Sequence, residues 1–345
     1  MPGAVTVGVI ANPASGRDIR RLVAGASVFD NAEKGNMVFR LMVGLAATGV
    51  ERVLMMPAAS GLYGSLERNL RGNAANEQTQ PLPELELVEM TVKHTARDTV
   101  HAVGEMRERR VAAIAVLGGD GTNRVVARHC DASIPICTLS TGTNNAFPRM
   151  REATVAGLAT GLVAAGQIGG DGALRREKIL HVGMGGDPHH DCALVDVAVN
   201  SERFVGARAL WHAGNVSEVV VASASPEAVG LSSVAGLLDP VPRTAKHGLH
   251  VRLTAPEEAE TVLTVPLAPG LVVPVGVAES RRIELGETVE LEPTVGSLAL
   301  DGEREIELAP KDRVEVRLDP EGPLTIDVGA VMREAARRGL LNGSL

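Results

Sequence analysis

VLGGDGTNRVV, Val116–Val126, starts as an apolar strand and breaks at Gly118-Gly119-Asp120-Gly121-Thr122. Val and Leu suit a buried pleated strand, whereas glycine weakens strand and helix alike. Glycines gather where the backbone turns with positive φ or must come very close to another group. A strand ending in such a loop, with a helix-forming run over Asn123–His129 behind it, is the repeating unit of a parallel α/β sheet. Ligands of such sheets bind at that strand end.

The same grammar extends outward through the first half of the chain. Val5–Ala11, Arg52–Met56, Leu85–Met90, Ala112–Leu117 and Ile134–Leu139 read as strands. Ala32–Gly49 has helical periodicity, with Val38, Leu41, Met42 and Leu45 on one face, and Ala96–Arg110 is a charged amphipathic helix. Thr154–Gly166, apolar nearly all round, reads as a buried connecting helix. From Lys178 short β-rich runs take over, among them KILHVGM, CALVDVAV, EVVVASA, LHVRLTA and RVEVRL, at the spacing of an all-β sandwich or barrel. Gly329–Leu341 is helical again; Val331, Met332, Ala335 and Ala336 share one side and should return it to the N-terminal domain. The expected fold is α/β plus all-β: a Rossmann-like parallel-sheet domain over 1–150, a connecting helix over 151–177, a β-sandwich over 178–328 and a closing helix over 329–345.

At 345 residues the chain exceeds one ordinary core, which suits two domains. Aromatics are 2% of residues, too few for base-stacking platforms, and the net charge of -8 offers no footprint for nucleic-acid phosphates. Cys130, Cys137 and Cys192 form no CxxC pair, so neither a zinc cluster nor a disulfide framework is signalled. No uncharged run reaches the ~18 residues of a membrane span, and the N-terminus reads as a first strand rather than a signal peptide. The expected location is the cytoplasm, with no nucleic-acid or membrane partner and room for a homo-oligomer.

Two more strand ends share the layout of the first. Val9–Arg17 ends in Asn12, Pro13, Ser15 and Gly16; Thr138–Phe147 ends in Ser140, Thr141, Gly142, Thr143, Asn144 and Asn145. Three polar, glycine-bearing loops at the carboxyl ends of strands in one sheet suit a triphosphate, whose oxygens take backbone N–H groups and helix N-termini. Asp120 fits a pure phosphate cradle poorly, because its charge repels phosphate. It suits a metal partner or a general base for an attacking hydroxyl, and no structural need for its charge is evident. Arg20 and Arg21, behind the first loop, are placed to turn a guanidinium towards phosphate. His189-His190-Asp191-Cys192 reads as an exposed loop, since neighbours on an extended chain point to opposite faces and rarely share an ion.

VLGGDGT resembles the GGDGT signature of NAD kinases and of diacylglycerol and sphingosine kinases. NPASG and TGTNNAF resemble the NPxSG and PxGTxND(F) of the lipid kinases, and SLALDGE, Ser297–Glu303, resembles the DG hairpin late in both families. NPASGRDIRRLVAGASVF, ALVDVAV and ARALW together look closest to the acetoin catabolism protein X group of ATP-NAD kinase relatives. The resemblance implies a phosphotransferase whose cleft lies between the two domains. It implies Asp120 and Glu303 as catalytic residues, with Glu303 and its neighbour Asp301 reaching the cleft from the β-rich domain. Asn12, Ser15, Gly16, Gly118, Gly119, Gly121, Thr122, Gly142, Thr143 and Asn145 would line the donor, ATP or polyphosphate carrying Mg²⁺. Asn144 and Asp196 would meet the acceptor, with the NAD 2′-OH favoured, and no residue is assigned to a resident metal. The sequence departs from the pattern at Ala146, where lipid kinases carry Asp, and at Val195-Asp196, where NAD kinases carry Asn-Glu. Ser225–Gly236 only echoes the TPTGSTAY loop of NAD kinases. A lipid or small-metabolite kinase, and a nucleotide-binding relative without turnover, remain alternatives.

Overall fold

The computed structural model describes residues 4–15, 30–58, 60–76, 81–142, 144–170, 172–202, 213–292, 295–309 and 311–342. The first sheet holds β1 (Thr6–Ala11), β2 (Arg52–Met55), β3 (Glu84–Leu87), β4 (Ala113–Gly118) and β5 (Ile136–Ser140), all parallel, in the order β3-β2-β1-β4-β5. Both faces are covered, which is why these strands read as continuous apolar runs. Val7, Val9, Ala113, Ala115 and Leu117 pack with the helices Asn31–Ala46 and Ala153–Ala164. Ile10, Ile114 and Val116 point the other way, to Ala102, Val103 and Met106 of the helix Ala96–Glu108.

Two strands beyond the β5 edge complete this sheet: β6 (Leu174–Arg176) and, from near the end of the chain, the segment Leu324–Ile326, which lies between β5 and β6. The chain therefore leaves and re-enters the first sheet through adjacent antiparallel strands. What lies between them is antiparallel throughout. β7 (Ile179–Met184), β8 (Asp187–Ala193), β9 (Asp196–Asn200), β10 (Val216–Val221), β11 (His247–Thr254), β12 (Thr261–Ala268), β13 (Leu271–Glu284), β14 (Thr288–Leu291), β15 (Gly296–Leu300), β16 (Glu303–Leu308) and β17 (Val314–Asp319) precede the returning strand, β18. They form a seven-stranded sheet, β12-β13-β11-β10-β9-β15-β16, and a four-stranded sheet, β14-β17-β7-β8. Val197, Val199, Val220, Leu298 and Leu300 of the larger sheet meet Leu180, Val182, Val314 and Val316 of the smaller one, a sandwich core. The outer face of the larger sheet is covered by the short helix Ser232–Leu238 through Val234 and Ala235.

The closing helix, Val328–Arg338, starts on Asp327, whose carboxylate accepts from Ala330 N at 2.9 Å, and stops at Gly339 with φ 64°. Val331 and Ala335 bury it in the core of the N-terminal domain.

Several elements differ from the sequence reading. Ser60–Ala74 is a helix that the sequence did not announce, because its apolar stripe is narrow: Leu62 and Leu66 are its fully buried side chains among many polar neighbours. His189–Cys192, expected as an exposed loop, lies instead within the strand Asp187–Ala193. It pairs with β7 across Gly185-Gly186, whose φ values of 62° and 87° make the two-residue turn that antiparallel strands favour. No helix among the described residues is long and apolar enough to cross a membrane.

Candidate active site

β1, β4 and β5 are neighbours in the sheet, so their carboxyl ends deliver three loops side by side. The loops are bonded to one another. Asn12 Nδ2 donates to Thr122 Oγ1 at 2.9 Å, and the Ser15 and Thr141 hydroxyls are 2.9 Å apart. Asn145 Nδ2 reaches Ser140 Oγ at 2.7 Å, and the Gly142 carbonyl accepts from the same serine at 2.6 Å.

Gly118 and Gly119 of GGDG serve close approach and not a left-handed turn. Gly119 has φ −92°, and neither Gly118 nor Gly121 is among the glycines with positive φ. A Cβ on Gly118 would lie 2.6 Å from Thr122 Cβ; one on Gly119 would lie 2.9 Å from Asn145 Oδ1. These glycines let the loop side chains nest against the turn.

The helix expected from Asn123 already begins at Asp120, directly after the cap Gly119. Its N-terminus, with Asp120, Gly121 and Thr122, therefore opens into the cleft, where unsatisfied N–H groups favour anions. Asp120 also has the structural duty that the sequence did not show. Its carboxylate accepts from Ala146 N at 3.0 Å and from Phe147 N at 2.8 Å, tying the third loop to the head of the helix. Burial, and secondly the nearby Asp301 carboxylate, push its pKa up to about 7 against the pull of those amides and of Arg243.

Asp301 comes from the far end of the chain. Asp301 and Gly302, with φ 52° and 78°, form the two-residue turn between β15 and β16. Such tips are ordinarily solvated, but this one is inserted into the cleft. Its carboxylate is buried and accepts from Leu194 N at 2.9 Å and Val195 N at 2.7 Å. Burial raises the Asp301 pKa, opposed first by Arg124 and then by the amides. The residue pair is thus two neighbouring carboxylates, each held by main-chain N–H groups.

A cleft of about 930 Å³ lies between the domains. Asn12, Ser15, Gly119, Asp120, Gly121, Thr122, Asn144 and Asn145 line it from the sheet side, and Asp196 and Asp301 from the β-rich side. Val229–Ser232, within the stretch that echoes the NAD kinase loop, adds another wall. Gly118 and Gly142 are buried behind the lining. Gly16, Arg20, Arg21, Thr143, the ARALW stretch and the Glu303 side chain lie outside the described residues; the Glu303 backbone pairs with Leu300.

Two residues of the site escaped the sequence. Arg124 sits one helical turn after Asp120, is buried, and lowers the Asp301 pKa. Its i+4 spacing from Asp120 was the available signal. Lys34, fully buried in the helix Asn31–Ala46, donates from Nζ to the Asn12 carbonyl at 3.0 Å, the Pro13 carbonyl at 3.3 Å and the Ser15 carbonyl, and so holds the first loop from beneath. Replacing it by Met leaves those part-buried carbonyls without that donor, so Lys34→Met should lower the unfolding free energy by about 1–3 kcal/mol. Urea titration of variant and wild type checks this; equal midpoints would remove Lys34 from the loop's support.

The ATP-NAD kinase N-terminal domain model matches residues 7–168, and the Acetoin catabolism protein X C-terminal domain model matches residues 178–321. The Acetoin catabolism protein X of Cupriavidus necator is 47% identical over 342 residues, covering 98% of this chain and 94% of that protein. Among solved structures, yeast NADH kinase complexed with NADH superposes with a TM-score of 0.52 at 11% identity, covering 100% of this chain and 90% of that one. That likeness is one of fold.

Proposed function

This chain belongs to the acetoin catabolism protein X family, whose N-terminal domain is of the ATP-NAD kinase kind, and on that premise we propose that it is a phosphotransferase. The donor is ATP or polyphosphate, and the acceptor hydroxyl is the 2′-OH of NAD or NADH. One observation carries the reading: three hydrogen-bonded loops and a helix N-terminus converge on a cleft whose carboxylate of raised pKa, Asp120, lies at their centre.

In this reading the first and third loops and the head of the Asp120–His129 helix hold the donor oxygens. The acceptor hydroxyl approaches from the Asp196 side. Its oxygen forms a bond to the terminal phosphorus as the bridging P–O bond to the leaving phosphate breaks, and its proton passes to Asp120. Arg124 keeps a positive charge beside Asp301.

Among the described residues, no group of three or more His, Cys, Asp or Glu side chains is arranged to hold a metal ion. Mg²⁺ commonly needs only one or two carboxylates besides the phosphates it arrives with. Arriving bound to the donor, Mg²⁺ would neutralise charge on the phosphate oxygens and leave Asp120 free to take the proton.

A base acts only when deprotonated. With the Asp120 pKa near 7, turnover should rise with pH through about 7 and level off above it. A pH–rate profile flat from 5 to 9 would deny Asp120 this role. The same shift sets a stability trend. Between 3.8, its ordinary value, and about 7 the folded state holds a proton that the unfolded state releases, so this group's contribution to stability falls as pH rises through that window.

Nucleotide binding without turnover is the second reading. It is favoured by the engagement of both cleft carboxylates with backbone amides, an arrangement that also serves purely to hold loops. Incubation with terminally labelled ATP or polyphosphate and a panel of NAD, NADH, diacylglycerol and small polyols separates the readings. Label in NAD or NADH supports the proposal, label in a lipid or polyol moves the acceptor, and nucleotide binding with no labelled product supports the second reading.

A further inference from the structure

We infer that Arg243 is a positioning residue of this site: from the β-rich domain it fixes the Ala146–Phe147 backbone on which Asp120 leans. The inference rests on the phosphotransferase reading for its consequence, though not for its geometry.

Ala146 and Phe147 are held from both sides. Asp120 takes their N–H groups at 3.0 and 2.8 Å. Arg243 Nη2 donates to the Ala146 carbonyl at 3.2 Å and to the Phe147 carbonyl. The guanidinium also lies over the Phe147 ring, 4.5 Å from its centroid, and that ring is buried. A planar fork that bonds two carbonyls and stacks on an aromatic face is a task for arginine that lysine cannot reproduce.

The other side of the guanidinium is anchored where the domains join. Arg243 Nη1 is 3.4 Å from Oε1 of the buried Glu177, just beyond β6. The same oxygen accepts from Arg175 Nε at 2.9 Å and from the Thr325 hydroxyl of β18 at 2.7 Å. Lys178 Nζ braces the Arg243 segment from behind, donating to the Pro242 carbonyl at 3.4 Å and to the His247 carbonyl at 2.6 Å. The crossing strands β6 and β18 thus connect through Glu177 and Arg243 to the backbone that holds the catalytic carboxylate. A shift between domains would be felt at Asp120 along this path.

Asp301 raises the Asp120 pKa and Arg243 lowers it; Glu177, Arg175, Arg149 and Asp120 act on Arg243 itself. The test is a ¹³C NMR titration of the Asp120 carboxyl, assigned by its loss in Asp120→Asn, in wild type and in two Arg243 variants. Arg243→Met should raise the Asp120 midpoint, because an opposing cation has gone. Arg243→Lys keeps the charge but not the fork or the stack. Its midpoint should stay near that of wild type while kcat falls ~10-fold with little change in KM, the mark of lost transition-state geometry. An unmoved midpoint in Arg243→Met, or wild-type kcat in Arg243→Lys, would overturn the inference; if Arg243→Met does not fold, the lysine variant decides alone. If wild type shows no transfer at all, the phosphotransferase reading fails while a moved midpoint in Arg243→Met still establishes the coupling.

Discussion

Asp120→Asn will lower phosphoryl transfer by ~10² or more, because an amide cannot accept the acceptor's proton. The substitution also converts one of two acceptors into a donor. The Ala146 and Phe147 N–H groups now both find oxygens on Asp120, and after the change one of them faces an NH₂ group. A stability loss of about 1–3 kcal/mol should therefore accompany the loss of turnover. The two effects separate experimentally: initial rates give the first and denaturant unfolding the second. Nucleotide affinity, set by the loops, should change much less than rate. Activity within a few-fold of wild type would show that Asp120 serves only to hold the third loop.

Asp301→Leu should have the larger effect on folding. Side-chain size is roughly kept, yet the N–H groups of Leu194 and Val195 lose the buried carboxylate they share. Unsatisfied buried donors cost about 1–3 kcal/mol each, so a loss of roughly 2–6 kcal/mol is expected. Removing this neighbouring negative charge should also bring the Asp120 pKa down from about 7. Where enough folded protein remains, the acid limb of the pH–rate profile should move to lower pH. A variant as stable as wild type with an unmoved limb would mean that the DG hairpin tip is peripheral to the site.

The parts legible in the sequence are those where one physical cause dominates a local stretch. AIAVLG of β4 is apolar at every position because helices cover both faces of its sheet, and the glycine loop after it marks a strand end. The Asp301-Gly302 turn was legible for the same reason, since few other pairs accept positive φ at both positions. What stayed hidden depends on residues far apart in the chain. Lys34 lies between Glu33 and Gly35 in a mixed helix and reads as a solvated lysine, until Asn12, Pro13 and Ser15 fold over it. Arg243, in VPRTAK, reads as a turn residue, and only the return of β18 beside β6 brings Glu177 to it. The Asp120 carboxylate shows its structural duty only once Ala146 and Phe147 are in place. The strand DPHHDCA was missed because its polar residues are supported by the register with β7 rather than by their own propensity.

The central question is whether phosphate moves and whether Asp120 moves it. The decisive measurement is ³¹P NMR of wild type and Asp120→Asn, each incubated with Mg²⁺, ATP and NAD under identical conditions. In wild type the γ-phosphate signal should decline as a ribose 2′-phosphate resonance grows, while the variant should show neither change on the same timescale. Equal product from both proteins would contradict the role of Asp120. A wild-type sample that binds ATP yet forms no new phosphate ester would contradict the phosphotransferase assignment itself.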